Sequence, residues 1–335
     1  MTVYFISADI GGTKTLLRAA EWTDGQTLVR CEKRYSSSSY PCFSDVLREF
    51  LNDPSLAEIG HPASACFAVA GPIKDQRATL TNVPWVMDAE AIAREFSIAR
   101  VTLINDFAGV ALSIDCLPEE DLVTLQAGKP YAGQMRVALG AGTGMGVSWL
   151  SWQDGRYAAL ATEAGHIDFA PANALQDRLL ASLRERLGHV SVERVLSGPG
   201  LTNIFNFLLT DGTGSGERVS EHLEGDQGAY VSGLAFNQGN PVAMRAMDLF
   251  AEIYGAYAGN LALAGLCRNG VFVAGGIAPR IVDKLKEGGF MKAFRDKGRF
   301  SQLMEQIPVS VVMNSKAGLL GAEQEAKRKH LEASA

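Results

Sequence analysis

The chain lacks any surplus of positive charge: 31 lysines and arginines stand against 37 aspartates and glutamates in 335 residues, a formal net charge of −6. With no basic block, it is a poor candidate for holding a nucleic-acid backbone. No apolar run approaches the roughly 18 residues of a membrane span. The opening residues, MTVYFISADIGG, show no basic leader and reach Asp9 too early for a signal peptide. Cysteine is scarce as well. The five residues Cys31, Cys42, Cys66, Cys116 and Cys267 are far apart and form no CxxC pair, which suits reduced thiols rather than disulfides or a zinc knot. These absences lead to the expectation of a cytoplasmic protein that engages neither nucleic acid nor membrane. The length suggests two domains with sizeable cores.

What the chain has in excess is glycine, 35 of 335 residues, above the roughly 7% of an average protein. Glycines concentrate just after short apolar runs. Val3–Ala8 precedes Asp9-Ile10-Gly11-Gly12-Thr13, Met135–Leu139 precedes Gly140-Ala141-Gly142-Thr143-Gly144, and Val271–Ala274 precedes Gly275-Gly276. Each run reads as a buried strand feeding a tight turn. A shift of 130 residues aligns Gly12-Thr13 with Gly142-Thr143, Trp22 with Trp152, and Asp24-Gly25 with Asp154-Gly155. Both copies then read strand, Gly/Thr turn, strand, Asp-Gly turn, strand, over Val3–Ala8, Thr15–Trp22 and Thr27–Tyr35, and over Met135–Leu139, Met145–Trp152 and Arg156–Ala161. Asp-Gly between strand-like runs is a strong hairpin signal, and duplication explains the match better than two unrelated hairpins.

Helical patterns fill the gaps at Ser44–Leu51, Ala89–Phe96 and Val242–Leu263, the last with a stripe of Met244, Met247, Phe250, Ile253, Tyr254, Tyr257 and Leu261 that reads as core. Strands Ala65–Ala70 and Val101–Ile104 alternate with them, giving an α/β chain. Thr210–Glu217 and Ser36–Ser39 read as loops, the second as a mobile one, and the polar tail from Lys327 onward reads as disordered.

A glycine turn leaving a strand lets backbone N–H groups approach an anion without interference from Cβ, and threonine adds a hydroxyl. Two such turns can clamp the phosphates of a nucleotide with backbone donors, so net acidity is no obstacle. Other phosphate motifs fail on spacing: Lys14 follows Thr13 rather than the glycine of GxxxxGK[ST], and the last position of GxGxxG is Met145. Asp9, at a strand end, suits a hydrated Mg²⁺ that keeps its waters. A purely structural turn remains the alternative for DIGGT.

Asn105-Asp106 follows the strand Val101–Ile104, at the end where α/β proteins place ligands. The aspartate there can take the proton of an attacking hydroxyl, or cap the helix at Phe107–Leu112. Glu163-Ala164-Gly165-His166 offers acceptors and donors suited to vicinal hydroxyls, without the HExxH spacing or a nearby cysteine that a metal site would need. Glu193 lies at a helix start, and Thr81-Asn82-Val83-Pro84-Trp85 reads as a polar turn carrying an aromatic that can face a sugar.

Together these segments resemble the bacterial glucokinase family of the sugar kinase/Hsp70/actin superfamily. The resemblance covers essentially the whole chain, through DIGGTKTLLR (9–18), INDFAGVAL (104–112), GAGTGMG (140–146), TEAGHIDF (162–169), ERVLSGPGL (193–201), AGGIAPR (274–280), FRDKGRF (294–300) and GLLGAE (318–323). It implies ATP-dependent phosphorylation of the glucose 6-hydroxyl, with Asp106 as catalytic base and Asn105, Asp106, Glu163, His166 and Glu193 on the sugar. It places the phosphates on Ala8, Asp9, Ile10, Gly11, Gly12 and Thr13 and on Gly142, Thr143 and Gly144. Gly275 and Gly276 fall on the adenosine side, and Asp9 reaches the Mg²⁺ of MgATP through water. The implied fold is a two-domain, actin-like ATPase (ribonuclease-H-like) α/β fold with duplicated halves around a central cleft. Residues 1–115 with about 305–330 form the smaller domain and 116–304 the larger, in a homodimer. Many members carry Asn where this chain has Lys14, which leaves that lysine as a phosphate contact or a surface residue. The related repressor/kinase-type sugar kinases have a zinc-binding cysteine motif after the histidine. Ile167-Asp168-Phe169 stands here instead, disfavouring that zinc and, more weakly, amino-sugar substrates. The competing readings are a kinase for mannose or glucosamine, and an actin- or Hsp70-like nucleotide switch.

Overall fold

The computed structural model describes residues 3–57, 60–80, 83–211 and 226–334. The chain divides into two compact units, one of Met1–Pro118, Tyr157–Ala161 and Asn314–Ala335, the other of Glu119–Arg156 and Thr162–Met313.

In the first unit the strands are β1 (Val3–Ile10), β2 (Lys14–Thr23), β3 (Gln26–Ser36), β4 (Ser64–Val69), β5 (Ile73–Lys74), β6 (Arg77–Thr79), β7 (Val86–Asp88) and β8 (Val101–Asn105). Five of them form a sheet in the order β3-β2-β1-β4-β8, and β5-β6-β7 form a small separate one. The β1–β2 and β2–β3 pairs are antiparallel, whereas β1, β4 and β8 run parallel. The expected Asp-Gly turn between β2 and β3 is present, with positive φ at both Asp24 and Gly25, the backbone that a two-residue hairpin of this kind demands. Helices α1 (Phe43–Leu51), α2 (Ala89–Glu95) and α3 (Asp106–Ser113) complete this part, and Phe43, Phe50, Phe67 and Trp85 fill its core.

A C-terminal helix, Ala317–Ser334, belongs to the same unit. The tail therefore is not disordered, and its polar composition is misleading because its charges find partners. Lys327 Nζ bonds Glu323 at 2.9 Å and the Thr27 hydroxyl at 2.6 Å, while Arg18 pairs with both Glu32 and Glu323. Ala322 and Ala326 on the same helix pack against Phe5, Cys66 and Ala68 of the sheet. The helix meets α3 backbone to backbone: a Cβ on Gly321 would fall 1.7 Å from the Gly109 carbonyl oxygen. No side chain fits there, and that close approach sets the position of α3.

Strands β9 (Leu122–Gln126), β10 (Arg136–Ala141), β11 (Met145–Gln153), β12 (Arg156–Thr162), β13 (Val271–Ala274) and β14 (Val309–Val312) form a second sheet in the order β12-β11-β10-β13-β14-β9. They belong to the second unit, except that residues 157–161 of β12 are grouped with the first. The β10–β11 pair is antiparallel, and β10, β13 and β14 run parallel. The series β11-β10-β13-β14 therefore repeats the strand directions of β2-β1-β4-β8. The turn after β11 again has positive φ at Asp154 and Gly155. Because β14 pairs with β13 and β9, the chain rejoins the first unit at Asn314 rather than near 305. Helices α4 (Ala174–Leu187), α5 (Gly198–Thr210), α6 (Gln227–Phe236) and α7 (Pro241–Ala264) cover this sheet. The stripe on α7 is core, as its spacing requires, except at Met244, which is exposed.

Candidate active site

In the first unit, parallel pairing brings the site residues to one edge of the sheet. Ile10 pairs with Val69, and Val69 with Asn105. Asp9-Ile10 and Asn105-Asp106 thus leave the same carboxyl edge two strands apart, roughly 10 Å at normal strand spacing. Ala8 and Ile10 contribute nothing with their side chains, which are fully buried in the core. The turn itself is Gly11 to Lys14, closed by the Gly11 N–H donating to the Lys14 carbonyl at 2.9 Å.

Ser37 holds this turn from below. Its hydroxyl donates to the Gly11 carbonyl at 2.7 Å and lies 3.0 Å from the Thr15 hydroxyl, and its N–H donates to the Thr13 carbonyl at 3.2 Å. Ser37 is completely buried, and residues 37–39 form one turn of 3₁₀ helix. The expected mobile loop at Ser36–Ser39 is instead the support of the first glycine turn.

Asn105 is the N-cap of α3. Its side-chain oxygen accepts from Phe107 N–H at 3.0 Å and Ala108 N–H at 3.2 Å, satisfying two donors that a helix start otherwise leaves orphaned. That leaves the amide nitrogen of Asn105 as its group for a ligand. Asp106, half-buried in the first turn of α3, accepts from the Phe107 N–H at 2.8 Å through Oδ1.

Asp9 is the second carboxylate of this edge, along with Asp106. Burial raises its carboxyl above the ordinary 3.8, with the nearby Lys14 charge acting in the opposite sense. The carboxylate faces Gly318, where a Cβ would stand 3.2 Å away. No protein donor among the described residues bonds it. A half-buried carboxylate short of partners fits a hydrated Mg²⁺, which takes few protein ligands and holds others through water.

The second unit builds a matching edge. Gly140 pairs with Ala274 on the parallel strand β13, so the 142–144 turn and the 275–276 turn emerge side by side. The Ile277 N–H donates to the Ala141 carbonyl at 3.1 Å. Gly275 has φ +81°, and a Cβ on it would press within 2.6 Å of that same carbonyl oxygen, so only glycine fits. Two helix starts join them. The Gly198 N–H, at the start of α5, donates to the Gly142 carbonyl at 2.8 Å, and a Cβ on Gly228, in α6, would lie 2.7 Å from the Gly198 Cα. Among the described residues, the N–H groups of Gly12, Thr13, Thr143 and Gly144 have no protein acceptor. Both turns thus offer the donors that an anion requires.

The segment of Glu163 to His166 and the Glu193 carboxylate both meet Met145, the first residue after the second turn. Glu193 Oε2 accepts from the Met145 N–H at 2.9 Å. Gly165, between Glu163 and His166, sits so near that a Cβ would fall 2.0 Å from the Met145 carbonyl oxygen. The two segments are also sewn together directly, by Val192 N–H to the Ile167 carbonyl and Phe169 N–H to the Val190 carbonyl, each 2.9 Å. Glu163 and His166 are exposed and Glu193 is half-buried.

Sequence reasoning missed the residues beneath these segments. Tyr254 on α7 accepts the Ala141 N–H at 3.0 Å through its hydroxyl, and Tyr257 donates to the Ala164 carbonyl at 2.7 Å. Burial pushes both phenols far above their ordinary pKa of 10, so they stay neutral hydrogen-bonding groups. The available signal was two tyrosines three residues apart on an apolar face, since a buried hydroxyl must find a partner. The sugar-facing turn expected at Thr81–Trp85 is not supported at Trp85, which is fully buried and donates to the Tyr40 carbonyl. Thr81 and Asn82, and residues 212–217 of the expected loop, lie outside the described residues.

The same architecture occurs in solved kinases. A glucokinase crystal structure from an Antarctic psychrotroph matches with a TM-score of 0.86 at 30% identity, over 97% of this chain and 99% of that one. A ROK family glucokinase from Streptomyces griseus, crystallised in complex with glucose and AMPPNP, shares the fold with a TM-score of 0.61 at 21% identity, over 97% and 99%. Glucokinase of a Synechocystis species is 41% identical, over 96% of this chain and 97% of its own length. A sequence profile of the glucokinase family matches residues 6–329, and the chain belongs to that family.

Proposed function

We propose that the chain transfers the γ-phosphoryl group of MgATP to the 6-hydroxyl of D-glucose, with Asp106 as general base. The observation that carries this reading is the placement of Asn105-Asp106 on the same sheet edge as Asp9 and the first glycine turn, in a chain matched by the glucokinase profile almost end to end. A nucleotide switch needs the glycine turns but has no use for a carboxylate and a carboxamide set beside them.

Phosphoryl transfer asks little covalent chemistry of a protein, and its catalysis is positioning plus charge stabilisation. Asn105, Glu163, His166 and Glu193 bind the sugar hydroxyls. Asp106 orients the 6-hydroxyl and accepts its proton as the bond to phosphorus forms. The N–H groups of Gly12, Thr13, Thr143 and Gly144 hold phosphate oxygens, and the Gly275-Gly276 turn lies on the adenosine side. Asp9 would hold Mg²⁺, which would neutralise charge on the phosphates when bound. The repeated strand pattern of the two sheets supports an origin by duplication of one half, with residues 1–115 plus the C-terminal segment as the smaller domain. The family reading extends to a cytoplasmic homodimer.

The test is an ATP-dependent phosphorylation assay over glucose, mannose and glucosamine. Glucose is expected to be the best acceptor, and failure of folded protein to phosphorylate any hexose refutes the reading.

A further inference from the structure

From the contact between Glu193 and the second glycine turn we infer that Glu193 is a positioning residue for that phosphate turn as well as a sugar ligand, and that Gly144 is glycine to make room for it. The inference rests on the sugar-binding reading of Glu193 given above and adds a link between the two substrates.

Three observations carry it. Glu193 Oε2 accepts the Met145 N–H at 2.9 Å, and that N–H belongs to the peptide joining Gly144 to Met145, so the carboxylate fixes the plane on which the turn ends. A Cβ added to Gly144 would lie 2.5 Å from Glu193 Oε2 and 3.4 Å from its carboxyl carbon, and it meets nothing else within 4 Å. Finally, Glu193 itself is firmly placed: its carbonyl accepts the Ser197 hydroxyl at 2.8 Å, and Ser197 caps α5 by accepting the Gly200 N–H. Motif reasoning gives both Gly142 and Gly144 to phosphate approach. The geometry separates them. A Cβ on Gly142 would lie 3.9 Å from the Gly276 nitrogen, in the second turn of that edge, whereas one on Gly144 would meet a carboxylate.

The chemistry follows from the two oxygens of one carboxylate. Oε2 is committed to the turn, while Oε1 has no hydrogen-bond partner among the described residues and is the oxygen offered to a sugar hydroxyl. A sugar held on Oε1 fixes the Glu193 side chain, and through Oε2 it fixes the turn that receives phosphate. Binding of either substrate then favours the other, and linkage makes the effect reciprocal.

The Gly144→Ala variant tests this with little risk to folding, because the group in its way is the movable end of a side chain and not backbone. Wild-type protein is first checked for glucose binding by calorimetry without nucleotide and for turnover with MgATP. If the wild type fails at this point, the sugar reading fails and the inference falls with it. Gly144→Ala is expected to keep the wild-type melting temperature and to weaken nucleotide-free glucose binding at least fivefold. Glu193→Ala should raise both the glucose Kd and the KM for MgATP. Glu193→Gln, which keeps an acceptor for the Met145 N–H, should leave the KM for MgATP within about twofold while glucose binding weakens. Given a functional wild type, glucose affinity within twofold of wild type in Gly144→Ala, or an unchanged KM for MgATP in Glu193→Ala, overturns the link.

Discussion

The two glycine turns look alike in sequence and are held by different side chains. The first, Gly11 to Lys14, is gripped on its carbonyl side by Ser37, a residue of a neighbouring loop. The second, Gly142 to Gly144, also receives a backbone N–H on a carbonyl, from Gly198 at Gly142, but side chains grip it on its N–H side, the Tyr254 hydroxyl at Ala141 before it and the Glu193 carboxylate at Met145 after it. The first turn therefore rests on a side chain with no other role in the site. The second rests partly on a sugar ligand. What matters is which functional group holds each turn, because that decides whether a defect stays with the nucleotide or spreads to the sugar.

The largest effect separates chemistry from both turns. Asp106→Asn keeps the shape of the side chain and removes the base, so turnover should fall by about 10²–10⁴-fold, with glucose affinity in calorimetry left near wild type. Full activity in this variant would remove Asp106 from the mechanism.

A second variant tests the isolation of the first turn. Ser37→Ala deletes the bond to Gly11 and the contact with Thr15, each worth about 0.5–1.5 kcal/mol net, so the KM for MgATP should rise roughly tenfold. Glucose affinity should stay unchanged, in contrast with the Glu193 variants. A parallel loss of glucose binding in Ser37→Ala would erase the distinction between the turns.

The smallest effect is on stability. Burial raises the Asp9 carboxyl above 3.8 in the folded state, so folding disfavours the charged form. The folded state is favoured while Asp9 is protonated, and that advantage is lost as pH climbs from the ordinary value through the raised one. Asp9→Asn should accordingly raise the melting temperature at pH 7 in the absence of Mg²⁺ and nucleotide, with the gain shrinking as pH drops toward 3.8. A lower melting temperature for the variant at pH 7 would show that the carboxylate stabilises the fold rather than straining it.

The frame of the site was legible because it depends on local chemistry. Strands ending in glycine, Asp-Gly hairpin turns and Asn105 before a helix all carry their reason within a few residues. The supports were not legible. Ser37 reaches Gly11 across 26 positions and Tyr254 reaches Ala141 across 113, and nothing in a serine run or an apolar helix names such partners. The tail was misread for a related reason: composition registers charge, not pairing, and Lys327, Glu323 and Arg18 are buried together. Gly144 was assigned to phosphate because a motif records that glycine is present, while only coordinates reveal what its missing Cβ avoids.

The most direct test of the account is to identify the product formed from glucose and MgATP by the purified protein, using phosphorus NMR. The account predicts ADP and glucose 6-phosphate in equal amounts, with no sugar phosphate formed when ATP is omitted. ATP hydrolysis without any sugar phosphate would contradict it and mark the chain as a nucleotide switch.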